Sequence, residues 1–220
     1  MLPPFAIWSS LMRKLLCALP LLFAVPLIAQ SAPQMPGTMD VARVTAGTYN
    51  TDPSHTLIGW RVSHFGFNDY FGIFGDATGT LILDPANPNA AKVEITIPVG
   101  KVTTASAGLT GHLLRAGKDG GKADFFGPAP TDAKFVSTSV VANGTTAKIN
   151  GNLTLNGVTK PVMLDTKFSG AGNNPFNRKA TVGFHATSVM KRSEFGIGYA
   201  VPMISDDVTL DISVAFEKAS

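Results

Sequence analysis

From residue 48 onward the chain alternates between apolar and polar positions. Val208, Leu210, Ile212, Val214 and Phe216 are apolar, whereas Thr209, Asp211, Ser213 and Glu217 are polar and Ala215 is small. Ile149, Leu153 and Leu155 alternate with Lys148, Asn150, Asn152 and Thr154, and Val93, Ile95 and Ile97 with Lys92, Glu94 and Thr96. Ile58, Trp60 and Val62 share a face, as do Val182, Phe184 and Ala186. A strand sends successive side chains to opposite sides, so each segment offers one apolar face and one wet face. Turn chemistry separates the runs: Asp84-Pro85-Ala86-Asn87-Pro88, Asn143-Gly144, Asn156-Gly157 and the stretch from Gly170 to Pro175. Seven or eight such strands with short connections predict an all-β, antiparallel architecture. With a single apolar face per strand, the sheet must close on itself or stack on another, and closure also removes exposed edges.

One stretch departs from this period. Residues 105–116 carry Ala107, Leu109, Leu113 and Leu114 at helix-like spacing, which predicts one short helix. Gly117-Lys118-Asp119-Gly120-Gly121-Lys122 follows and is too rich in glycine for regular structure. The insert Arg115 to Ala123 is expected to be mobile and to sit near a barrel mouth. A barrel of about eight strands either fills with side chains or holds one small ligand, and periodicity leaves that choice open. Phe65, Phe67, Tyr70, Phe71 and Phe74 crowd one stretch between two strands and lean towards a cavity.

The N-terminus has a different character. Arg13 and Lys14 precede fifteen uncharged residues, Leu15 to Ala29, and then Ala29-Gln30-Ser31-Ala32. A positive start, an apolar run and a small-residue exit make a secretory signal peptide over residues 1–31, cleaved after Ser31 or Ala32. The run falls short of the roughly 20 apolar residues of a spanning helix, and it contains Pro20 and Pro26. No stable membrane span is therefore expected after cleavage. Residues 1–11 add nothing that a signal needs, so Met12 is an alternative start to Met1. Residues 32–47, with Pro33, Pro36, Gly37 and Gly47, read as a linker with little to bury. Residues 48–218 form the domain.

Cleavage changes the bulk picture. About 189 residues remain, which suits one domain. The only cysteine, Cys17, leaves with the leader, so no disulfide framework supports the fold. The formal charge of +3 drops by two, because Arg13 and Lys14 leave and no acid does. No basic stripe interleaved with aromatics points to nucleic acid, and no basic amphipathic segment points to a surface-bound helix.

Catalytic chemistry finds little support in the side chains. His55, His64, His112 and His185 are the chemical suspects, yet a zinc site wants about three or four close ligands. His55 and His64 are an odd number apart and would face opposite sides of one strand. Neither a His-x-x-x-His nor a Cys-x-x-Cys pattern occurs, so no metal site is expected, and His55 and His112 read as hydrogen-bonding groups near turns. No Gly-x-Ser-x-Gly elbow is present. Arg192 near Glu194 reads as an ion pair holding a turn, and Asp206-Asp207 as a solvated turn before a strand.

Four stretches, in order, carry a resemblance. They are Tyr49-x-x-Asp52-Pro53-Ser54-His55 continuing through Val62-Ser63-His64-Phe65-Gly66-Phe67 to Gly72-Ile73-Phe74; His112-Leu113-Leu114 with Asp124-Phe125-Phe126 and Lys134-Phe135; Gly151 to Val162; and Arg192-Ser193-Glu194-Phe195-Gly196-Ile197. Together they resemble the YceI-like family, secreted lipocalin-like polyisoprenoid-binding proteins. The resemblance covers about residues 48–217. It implies an extended antiparallel β-barrel whose long apolar lumen holds an isoprenoid chain, often a quinone or a precursor. It also implies a periplasmic or extracellular setting, of which the periplasm is expected here, no catalytic role, no cofactor beyond the bound lipid, and in many members a homodimer. This chain departs from the family pattern in its insert Arg115 to Ala123, in Gly111 before the histidine, in Trp60 and in Glu194. On this reading Trp60, Val62, Phe71, Ile73, Phe74, Val182 and Phe184 line the lumen. Two rival readings are a secreted enzyme acting on a lipid, which would need convergent polar residues in the lumen, and a filled barrel that serves as a structural or interaction domain.

Overall fold

The computed structural model describes residues 34–219, so the expected signal peptide at 1–31 lies outside the described residues. Eleven strands and one α-helix follow: β1 Gly47–Thr51, β2 Leu57–His64, β3 Asn68–Phe74, β4 Thr78–Leu83, β5 Lys92–Ile97, β6 Thr103–Thr104, α1 Ala107–Leu114, β7 Ala133–Asn143, β8 Thr146–Leu155, β9 Val158–Asn173, β10 Ala180–Lys191 and β11 Asp207–Lys218. Every pairing between them is antiparallel. Eight strands close a ring in the order β1-β4-β5-β7-β8-β9-β10-β11, and β11 returns to β1.

Closure depends on sharing β11. Its C-terminal part pairs with β1, from Thr51↔Phe216 to Tyr49↔Lys218. Its N-terminal part pairs with β2, from Ser213↔Leu57 to Thr209↔Arg61. A turn at Pro53–His55 bends the chain between the two, and the Asp52 side chain accepts from the Ser54 N–H to fix it. From β2 the sheet continues through β3 to the two-residue β6 and stops there. The long excursion from β6 to β7 carries α1 and brings Phe125 and Phe126 back against the barrel core. Ser106 caps α1, its hydroxyl accepting from the Leu109 N–H.

Local chemistry explains the register. Asn156 and Gly157, both at positive φ, make the two-residue β8–β9 hairpin, and this is the type I′ geometry that matches strand twist. Two irregularities re-aim side chains where simple alternation would fail. Gly183 pairs with Gly170 but Phe184 with Phe168, so Ser169 is an extra residue in β9, and Phe168 and Ala171 both end up buried. A similar shift falls between Ser137 and Ser139 in β7, so Phe135 and Val140 are both buried.

Two clusters anchor the wall. One gathers Tyr49, Leu81, Phe168, Val182 and Phe216 with Val44. The other gathers Val99, Phe135, Leu153, Val162, Phe195 and Ile197. Full burial of each large side chain stabilises the fold by about 1.5–3 kcal/mol before entropy is counted. Val44 belongs to the stretch expected as a linker with little to bury. Instead it joins the core, and Thr38 forms a two-way backbone bridge with Ala171. The physical reason is that β9 continues past its partner β8 and leaves backbone groups that this segment pairs.

Candidate functional site: the barrel lumen

The inward faces of the strands enclose a cavity of about 940 Å³. That is near the upper end of the roughly 300–1,000 Å³ usual for small-molecule pockets. Its wall is overwhelmingly apolar and includes Ile58, Leu81, Ile149, Leu164, Ala186 and Ile212. The barrel is therefore hollow, although both of its core clusters contribute to the wall.

Four of the seven expected lumen residues, Trp60, Val62, Phe74 and Phe184, line this cavity. Val182 does not. It is buried among Tyr49, Phe168 and Phe216, within the wall cluster. Phe71 and Ile73 are corrected outright, because they lie on the outer face with 62% and 42% of their surface exposed. The run Tyr70-Phe71-Gly72-Ile73-Phe74 has no apolar–polar alternation, so its inward face was not legible. Pairing decides it. Trp60 points inward and sits opposite Gly72, which places Tyr70, Gly72 and Phe74 inside. A Cβ on Gly72 would come within 2.2 Å of the indole, so only glycine fits under Trp60. Sequence reasoning missed Leu109, Leu113 and Phe125, which reach the cavity from the β6–β7 excursion. The signal for Leu109 and Leu113 was the helix-like spacing, which says nothing about the side that packs, and Phe125 was visible only as part of the Asp124-Phe125-Phe126 motif.

His64, His112, Arg192 and Tyr199 reach the lining near the β2–β3 turn and the β10–β11 segment, while Thr145 and Thr146 reach it from the β7–β8 hairpin. The rings of His112, Phe125 and Tyr199 meet edge to face at centroid separations of 5.2–5.5 Å. His112 Nε2 lies 2.7 Å from Asp124 Oδ2, and Arg115 donates to the same oxygen at 2.8 Å. Hydrogen bonds from Arg115 and then His112 hold the Asp124 carboxyl below its ordinary value. These contacts tie the far end of the insert back to α1, and Lys122 donates to the Gly196 carbonyl. The insert is thus pinned at its second end, and none of residues 115–123 lines the cavity.

The pin can be tested. Asp124→Asn should increase proteolytic nicking within 115–123 while the barrel's circular dichroism stays unchanged. Acid should act in the same direction on the wild type. A carboxyl whose folded value is depressed favours the pinned state above its unfolded value and loses that preference as pH falls through the folded one. Amide hydrogen exchange across the segment, taken relative to the intrinsic rate at each pH, should rise with acidity in the wild type, and that dependence should be flattened in Asp124→Asn.

Arg192 departs from the expected ion pair with Glu194. Its side chain is buried and donates to three backbone carbonyls: Nε to Ser205, Nη1 to Ile197 and Nη2 to Ile204, each at 2.9 Å. Burial pushes its guanidinium below the ordinary value, against the pull of the Asp206 carboxylate. Asp206 itself accepts from both the backbone N–H and the hydroxyl of Ser193, and Asp207 pairs with Lys191 at 2.8 Å, so the two acids are bonded rather than merely solvated. His55 bonds Asp52 beside its turn at 2.7 Å. Among the described residues, no three His, Cys, Asp or Glu side chains come together as a metal-binding group.

Comparison with known proteins places this geometry. The family model described as the YceI-like domain matches residues 49–216. A UPF0312 protein of Pseudomonas paraeruginosa is 40% identical over 173 residues, which is 77% of this chain and 86% of that protein. The crystal structure of the Campylobacter jejuni YceI protein superposes with a TM-score of 0.59 at 28% identity, over 72% of this chain and 90% of that one. Burkholderia cenocepacia BcnA shares the fold at 21% identity, with a TM-score of 0.62 over 75% of this chain and 98% of its own.

Proposed function

This chain belongs to the YceI-like family, and from that premise we propose that its barrel carries an amphiphilic isoprenoid lipid, a polyisoprenoid or an isoprenoid quinone or precursor, without altering it chemically. The observation that carries the reading is the closed barrel around an apolar cavity of about 940 Å³. Burying one isoprene unit removes about 100 Å² of apolar surface from water, or about 2–3 kcal/mol gross at roughly 25 cal/mol per Å². Several units offset the cost of immobilising the chain. His64 and Tyr199 in the lining fit an amphiphile, since they offer a head group hydrogen-bonding partners while the tail occupies the apolar lumen. In this proposal the carrier works in the periplasm, delivered by the leader at 1–31.

Mass spectrometry tests both parts on one sample. Organic extraction of the purified protein should release an isoprenoid species, and a protein that yields no lipid would leave the barrel as an interaction domain. The intact mass should correspond to a chain that begins at Ala32 or Pro33. A mass retaining Leu15 to Ala29 would overturn cleavage and make that run an anchor.

A further inference from the structure

The end of the cavity lined by His64 and Tyr199 opens into a rim that is itself apolar. The β2–β3 turn presents Phe65 and Phe67, the latter 89% exposed. Beside it, the segment between β10 and β11 presents Tyr199 and Met203, 43% and 59% exposed. The two are stitched together by backbone. Phe65 N–H donates to the Met203 carbonyl, Ser205 N–H to the Ser63 carbonyl, and His64 bridges Ile204. Phe65 also adopts a positive φ of 54°, a region in which a bulky side chain is an outlier and which persists only when its surroundings impose it. The aromatic tip is therefore held outward by the fold rather than left loose.

We propose that this rim is a bilayer-docking surface, with Phe67 entering the boundary between head groups and acyl chains and the mouth of the barrel facing the membrane. The inference rests on the lipid-carrier reading and adds the place where lipid enters and leaves. Continuity of the apolar surface identifies the occupant. Phe65, Tyr199 and Met203 line the cavity and are also exposed, so the wall of the lumen runs without interruption onto the tip. A lipid tail leaving a bilayer into this barrel would stay against apolar side chains throughout. Apolar and aromatic side chains presented together are what interfacial docking uses. Charge is the smaller contribution. Arg61, Arg115 and Lys191 near the rim are matched to Asp69, Asp124 and Asp207, and Arg115, Lys118 and Lys122 against Asp119 and Asp124 leave residues 115–124 one cation in excess, so neutral lipid suffices and added salt screens little.

Flotation of the full chain with phosphatidylcholine vesicles, at low and high salt, tests the surface. The wild type should float at both salt levels. Phe67→Ser should lower vesicle partitioning about tenfold, as expected for losing one inserted aromatic side chain, and Phe67→Trp should retain it. Phe67 is outside the cavity lining, so extracted lipid and melting temperature should match the wild type in both variants. A wild type that does not float, or a Phe67→Ser variant that floats equally, overturns the surface. So does a wild-type dimer that Phe67→Ser dissolves without any vesicle binding, which would assign the tip to a second copy of the chain. Lipid extraction on the same samples separates the two claims. A loaded protein that fails to float retires this surface and leaves the carrier reading standing, whereas a protein with no extractable lipid retires the carrier reading itself.

Discussion

Ala186→Trp is expected to empty the barrel, and Ile73→Trp to leave it loaded. Ala186 lies on the inner face of β10, buried, in line with Thr166 of β9 and Ile212 of β11. All three line the cavity. An indole at 186 would project into the space a lipid chain must occupy. Overpacking a filled core costs about 1–3 kcal/mol, but here the ring enters open volume, so the fold should survive near the low end of that range. Lipid recovered per folded protein should fall several-fold. Ile73 provides the matched control, since it differs from its inward neighbours Gly72 and Phe74 only in the face that the strand gives it. Equal loading of Ala186→Trp and wild type would mean that the lipid binds elsewhere. A loss in Ile73→Trp equal to that in Ala186→Trp would show that a general effect of tryptophan, rather than lumen volume, governs loading.

The largest loss of stability is expected at Arg192. Arg192→Met removes the donors that satisfy the carbonyls of Ser205, Ile197 and Ile204. An unsatisfied buried polar group costs about 1–3 kcal/mol. Deleting the charge recovers part of this, because a buried guanidinium carries its own desolvation cost. The net loss should be about 3 kcal/mol, which lowers the melting temperature by about 6–12 °C in a domain of this size. Arg192→Lys should recover only a fraction, since one ammonium on a flexible stem cannot reproduce a planar fork that spans three acceptors. The same carbonyls belong to the segment that shapes the mouth, so Arg192→Met should also release bound lipid faster. An unchanged melting temperature would show that water replaces the guanidinium at little cost.

Much of the site was legible because period-two patterning names a face wherever polar residues mark the other side. Ile58, Trp60 and Val62 alternate with Gly59, Arg61 and Ser63, and all three turn inward. The same logic failed at Phe71 and Ile73, where both faces are apolar and only the register of Trp60 against Gly72 decides. It also failed at Arg192. Proximity in sequence favoured Glu194, but a guanidinium deep in the wall meets carbonyls brought from Ile197, Ile204 and Ser205 by the folding of a loop. The rim was half visible: the phenylalanines at 65 and 67 stood out, while Met203, whose carbonyl accepts from the Phe65 N–H, carries no local signal.

What the sequence determined by itself was the kind of object. Alternation fixed an antiparallel all-β wall with one wet face, Asn156-Gly157 fixed a tight hairpin, and four ordered motifs pointed to the family. Each of these is a local property, set by the geometry of a strand or a turn over a few residues. What only the tertiary structure decided was the hollow. Whether eight apolar faces fill their shared interior or leave room depends on the summed volume of side chains from every strand and on the extra residue at Ser169, which turns both Phe168 and Ala171 inward. No single segment contains that sum, because it arises when β11 pairs with both β1 and β2 and closes the wall around a cavity of about 940 Å³.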